Sequence, residues 1–194
     1  DLSARDFLRA LGVEVHIVRN QADGLDLLKA LAVKRMLREA RLVLFGQQNF
    51  PWNAHAGGHL ITASLGTRLI VRPIDDIRQR GEQFSSRHVA DVWAQRRGRY
   101  VEQGVRSDQL TQAVRTYLAV RSILEEEQAM GFGLNCFGDL VIQGGRDVPC
   151  LAQSLLREDG YIASCDGDYC AMMSMALATY FLDKTCMMSN MYPV

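Results

Sequence analysis

Short, continuous apolar runs alternate along this chain with longer stretches of helical periodicity. Residues 1–11 place Leu2, Phe7, Leu8 and Leu11 on one side of a short helix. Residues 13–18 (VEVHIV) alternate apolar and polar, the pattern of a half-buried strand near a sheet edge. From 22 to 40 the apolar positions Leu25, Leu28, Leu31 and Leu37 recur near helical spacing, with Lys29, Lys34 and Arg35 outside. That helix leads into Leu42-Val-Leu-Phe45, a continuous apolar run closed by Gly46, which predicts a central parallel strand. A helix over 59–65 ends at Gly66, a second buried strand follows over 67–71, and Pro73 stops it before a helix from Asp75 onward. Residues 42–80 thus trace one β-loop-α-β-α round, as in a doubly wound sheet.

The pattern then changes. Residues 86–103 and 107–128 predict two amphipathic helices, broken at Gly104, with Ser107 as the N-cap of the second. They connect two α/β layers, and the boundary falls near residue 85. Beyond them, apolar runs at 132–137 and 161–165 predict buried strands. Between the runs lies a helix opened by Pro149, with Leu151, Leu155 and Leu156 on one face. Strand, crossover helix and strand form a βαβ unit, which requires parallel strands and a right-handed connection. An apolar helix over 169–182 completes it. The expected fold is α/β, with doubly wound, mostly parallel sheets. A first Rossmann-like segment spans 1–85, and a second, spanning 86–194, carries the helical connector and an acidic site.

That acidic site follows from where the carboxylates fall. Asp139 comes just after the first strand of the βαβ unit, and Asp166 and Asp168 just after the second. Parallel strands put all three at the carboxyl edge of one sheet, where open α/β sheets bind ligands. Carboxylates crowded into one mouth repel, and a divalent cation relieves the repulsion. Oxygen donors suit Mn²⁺ or Mg²⁺ rather than zinc, and no cysteine pair has zinc-motif spacing. The plainer reading of Asp168 is a helix N-cap worth about 1 kcal/mol.

A long polar loop over 46–59 enters the same edge and offers Trp52, His55 and His59 as substrate contacts. The two histidines have i,i+4 spacing, but Gly57 and Gly58 between them weaken a helix by about 2 kcal/mol relative to Ala. Trp52 beside Asn53 suits stacking on a sugar face, or else a core or lid position. Gly144 and Gly145 read as a turn. Met172, Met173 and Met175 read as core or subunit contacts.

Bulk composition narrows the partners. Formal net charge is zero, with 22 basic and 22 acidic side chains, which removes the excess positive charge that nucleic-acid and anionic-membrane binders need. Arg96, Arg97 and Arg99 form the one basic cluster and read as a solvated helix face. The five cysteines are odd in number and lack C-x-x-C spacing; they read as buried free thiols of a cytoplasmic protein. No apolar run reaches the roughly 20 residues that span a bilayer. The chain lacks an initiator Met and ends on Met191-Tyr-Pro-Val, as a piece of a longer protein would.

The order Asn135-Cys-Phe-Gly-Asp-Leu, Val148-Pro-Cys-Leu-Ala, Ser154-Leu-Leu, Asp159-Gly160 and Cys165-Asp-Gly-Asp168 before an apolar helix resembles the L-fucose/L-arabinose isomerase-like family. Upstream, a Leu- and Ala-rich helix, a buried strand, a long loop and Leu65-Gly66-Thr followed by a strand fit as well. The resemblance implies α/β layers followed by a β-rich C-terminal domain beyond residue 194. It also implies aldose–ketose isomerisation with Mn²⁺ and a homo-oligomer with a sugar substrate. The family's metal-bound glutamate falls on Asp166, the aspartate after the glycine on Asp168, and another acidic ligand on Asp139, or one residue earlier on Gly138. Asp166 is one methylene shorter than the family's usual glutamate, and the histidine ligand expected from the C-terminal part lies beyond Val194. Asp139 and Asp166 are then candidates for both metal ligand and general base. A sugar-binding or regulatory protein that keeps the isomerase fold without turnover is the second reading. A nucleotide-binding α/β protein is the third, but no glycine-rich phosphate loop follows a strand.

Overall fold

A computed structural model describes residues 2–47, 63–136, 138 and 148–188. Its centre is a four-stranded, all-parallel sheet in the order β2-β1-β3-β4. The strands are β1 (Arg41–Phe45), β2 (Arg68–Arg72), β3 (Gly131–Leu134) and β4 (Ile162–Ser164). Helices cover both faces, as the α/β expectation requires. They are α1 (Leu2–Ala10), α2 (Gln21–Glu39), α3 (Asp75–Glu82), α4 (Ser86–Arg96), α5 (Ser107–Glu127), α6 (Cys150–Glu158) and α7 (Tyr169–Leu182).

Alternation along the strands divides the core in two. Val43 and Phe45 of β1, with Phe132, Leu134 and Ala163, pack beneath α5 and α6. Leu42 and Ile162 point the other way, against α2 and α7. Successive strand side chains leave opposite faces, so a strand buried on both must be apolar, as β3 is throughout and β1 is from Leu42 to Phe45. β2, at the edge, is only partly covered. The Phe45 and Phe132 rings meet edge to face with centroids 6.2 Å apart.

Strands from both sides of residue 85 lie in this one sheet: β1 pairs with β3 directly, Leu42 opposite Gly131. The helical stretch read as a link between two layers therefore leaves and re-enters the same sheet. Its long helix α5 buries Val114, Tyr117, Leu118, Val120, Ile123 and Leu124 along the stripe that faces β1 and β3. Tight strand approach explains a glycine. A Cβ on Gly131 would lie 2.5 Å from both the Cβ and the carbonyl oxygen of Ile162.

Several expectations are corrected. Residues 13–18 form no strand; Val13, Ile17 and Val18 are exposed, and alternation without a neighbouring strand leaves only extended chain. Helix α4 stops at Arg96, and a single 3₁₀ turn through Gly98 carries the chain to extended Tyr100. Arg106, not Ser107, caps α5 and does so without a side-chain bond. The basic cluster is not a solvated face throughout: Arg96 donates to Tyr117 Oη at 2.7 Å and Asp159 Oδ1 at 2.6 Å, and lies over the Tyr117 ring. Among the described residues, no helix is long and apolar enough to cross a membrane.

Candidate functional site

The carboxyl ends of β3 and β4 are neighbours, and the chain leaves both through tight turns. After β3, Asn135 donates its N–H to the Phe45 carbonyl at 3.0 Å, which extends the ladder to β1 by one bond. Its buried side chain then accepts the Gly138 N–H at 3.2 Å and turns the chain. This shortens the strand expected over 132–137 and leaves Cys136 at the rim. After β4, Cys165 is followed by two residues in the left-handed region, Asp166 (φ +56°) and Gly167 (φ +63°). Aspartate and glycine are among the few residues that adopt this conformation at small cost. The Gly167 N–H bonds to the Leu134 carbonyl at 3.0 Å and ties this turn to the end of β3.

The two turns bring three side chains together. Cys136 Sγ lies 3.0 Å from Cys165 Sγ and 3.7 Å from Asp166 Oδ1, and Cys165 Sγ lies 4.0 Å from the same oxygen. Among the described residues, this is the one group of three or more Cys, His, Asp and Glu side chains close enough to hold a metal ion. Cys136 is buried, while Cys165 and Asp166 are half-buried. The cysteines share one hydrogen bond unequally. The bond to Cys165 pulls the Cys136 thiol down to about 7, against a smaller opposing effect of burial. The same bond, with burial, pushes the Cys165 thiol upward. Cys136 is thus the more acidic thiol of the pair. The thioether of Met188 accepts the Cys165 N–H at 3.2 Å, which adds a third sulfur to this edge.

Of the expected acids, Asp166 is at this rim. Asp168 has the plainer role: its Oδ1 accepts the Ala171 N–H at 2.9 Å and caps α7. Asp139, Trp52, His55 and His59 lie outside the described residues, as do Gly144 and Gly145. Sequence reasoning missed Cys136 and Cys165 because their spacing matches no local metal motif. The signal was topological, since each follows one of two adjacent parallel strands. The cysteines are also less uniformly buried than expected, with Cys150 and Cys170 exposed.

A cavity of about 360 Å³ opens between α3 and α5 and reaches Leu134 at the end of β3, with Arg78, Glu82, Gln112 and Arg115 in its walls. Arg115 is held there by the Gly81 and Phe84 carbonyls at 3.0 and 2.6 Å. No curated protein matches the chain. A family model does: that of the L-arabinose isomerase central domain, over residues 56–182.

Proposed function

The chain belongs to the L-arabinose isomerase central domain family, and from that premise we propose that it serves an aldose–ketose isomerase working through an enediol. The family match supplies the sugar-isomerase assignment. The observation that supports a site at this edge is the position of Asp166, a half-buried carboxylate on a left-handed turn at the end of β4.

In this proposal the Asp166 carboxylate takes the proton from the carbon next to the substrate carbonyl. An enediol forms, and the proton returns to the former carbonyl carbon while a hydroxyl proton passes between the two oxygens. A base and proton donor in one group needs a fixed position within hydrogen-bond reach of both carbons. The bond from Gly167 to Leu134 supplies that fixity. Trp52, His55 and His59 enter the proposal as sugar contacts.

Mn²⁺ or Mg²⁺ dependence is also proposed, with Asp139, Asp166 and Asp168 as the acidic candidates. The described donors do not by themselves fit a hard cation: one carboxylate is grouped with two sulfurs, and Asp168 spends an oxygen on its cap. No step is therefore derived through such an ion. A cytoplasmic homo-oligomer completes the reading, and the exposed apolar side chains Phe7, Leu8, Leu25 and Leu28 of α1 and α2 support self-association.

The test is aldose–ketose conversion by the protein and by Asp166→Asn, each with and without Mn²⁺. Loss of conversion in the variant is expected, and unchanged turnover removes Asp166 from the mechanism. The capping role of Asp168 favours a second reading, a sugar-binding protein without turnover. Calorimetric sugar binding that ignores chelator, with no conversion, selects it.

A further inference from the structure

We infer that Cys136, Cys165 and Asp166 form a binding site for a thiophilic divalent cation of the zinc type. This goes beyond the isomerase proposal and does not depend on it.

Distances at the rim come close to what such an ion needs. A tetrahedral Zn²⁺ with Zn–S bonds of about 2.3 Å and a Zn–O bond of about 2.0 Å requires sulfur-to-oxygen separations of about 3.5 Å. The observed values are 3.7 and 4.0 Å, from two different strand ends to one carboxylate oxygen. The same geometry requires about 3.8 Å between the sulfurs. They stand at 3.0 Å, so rotation about the cysteine side-chain bonds has to open the pair by less than an ångström, roughly. Both thiols are free.

Donor chemistry agrees. The two thiol sulfurs are soft donors, and thiolates select zinc-like ions over magnesium and manganese; the carboxylate oxygen is a harder donor that zinc also accepts. Met188 Sδ accepts the Cys165 backbone N–H at 3.2 Å and helps to hold that turn in place. The frame is rigid where it matters. Cys136 and Cys165 follow adjacent parallel strands, and the Gly167–Leu134 bond joins the two turns. Three ligands leave a fourth position, which water or a substrate oxygen fills in open zinc sites. Binding forms two metal–thiolate bonds and one metal–carboxylate bond, and any thiol protons present leave to solvent.

The site shares Asp166 with the proposed isomerase chemistry, so the test reads the metal rather than turnover. Metal-free protein, kept reduced, is titrated with Cd²⁺ and followed by the ultraviolet sulfur-to-metal charge-transfer absorption. One equivalent per chain should saturate the band, and Zn²⁺ should displace it. Cys136→Ser and Cys165→Ser should each lose most of the band while circular dichroism shows a retained fold. Asp166→Asn should keep the band and weaken binding. Cys170→Ser, which removes an exposed thiol outside the cluster, should change nothing. Absence of a band at one equivalent overturns the inference, as does a band that survives in Cys136→Ser. If either serine variant loses its fold, Cys136→Ala and Cys165→Ala replace it: loss of the band supports the site, and its survival overturns it.

Discussion

Cys136 and Cys165 stand 29 residues apart in the chain and 3.0 Å apart at sulfur. Their shared hydrogen bond sets the acidity of both. Cys136 is lowered to about 7, and Cys165 is raised above the ordinary thiol range. Alkylation by iodoacetamide, mapped by peptide mass spectrometry, should modify Cys136 with a midpoint near pH 7. In Cys165→Ala the bonding partner is gone, burial remains, and the midpoint should rise toward or above the ordinary thiol value. An unchanged midpoint in that variant would show that Cys165 is not the cause.

The same pair gives stability a pH dependence whose sign can be worked out. Between the lowered Cys136 value and the ordinary thiol range, the folded chain binds fewer protons than the unfolded one, so stability rises with pH. Above the ordinary range the unfolded chain releases both protons while Cys165 keeps its own, so stability falls. Urea unfolding of the protein against Cys136→Ser, measured from about pH 6 to 10, should show this local maximum only in the parent.

Tyr117 and Asp159 join α5 to the end of α6. The tyrosine hydroxyl donates to Asp159 Oδ2 at 2.6 Å and accepts from Arg96 at 2.7 Å. Arg96 also donates to the other Asp159 oxygen at 2.6 Å. Arg121 donates to the same hydroxyl at 3.0 Å, so Tyr117→Phe keeps the buried ring and deletes the shared hydroxyl of a four-residue network. It should cost about 1–3 kcal/mol, read from the urea midpoint at unchanged slope. Asp159→Ala should cost more, because it leaves the guanidinium of a mostly buried arginine without its main acceptor.

Most of this architecture is written in the sequence as period and punctuation. Leu42–Phe45 of β1 is a continuous apolar run because both its faces are covered, and α7 starts where Asp168 can cap it. Local patterns are weaker where a partner decides. Val13–Val18 has the alternation of a strand but no ladder, while β1 and β3 are neighbours that no local pattern announces. The same limit governs the rim. Asp166 was visible from its place after a strand, whereas the Cys136–Cys165 contact exists only through the pairing of β3 with β4.

That pairing rests on small residues. A methyl group on Gly131 would meet the backbone and side chain of Ile162 at 2.5 Å, and backbone cannot rotate away. Gly131→Ala should therefore cost at least about 1–3 kcal/mol. Gly133 differs: its nearest obstruction is the Ser164 hydroxyl at 2.9 Å. That hydroxyl is buried without a hydrogen-bond partner, so Ser164→Ala should be neutral or stabilising. It should also reduce the cost of Gly133→Ala. A double-mutant cycle that returns additive values would refute the proposed clash.

The two aspartates after β4 are separable by substitutions that respect their backbones. Asparagine is as good an N-cap as aspartate, so Asp168→Asn should keep α7 and the stability of the parent, while Asp168→Ala should lose about 1 kcal/mol. If Asp168 does no more than cap, sugar conversion by Asp168→Asn should match the parent. Asp166 stands at φ +56°, which asparagine tolerates, so Asp166→Asn should also fold. Its conversion should nevertheless collapse, because an amide neither takes nor returns the proton. Thermal unfolding and turnover measured side by side on the three variants make the outcome specific. Conversion lost in Asp168→Asn at parental stability would move the chemistry from the turn to the cap.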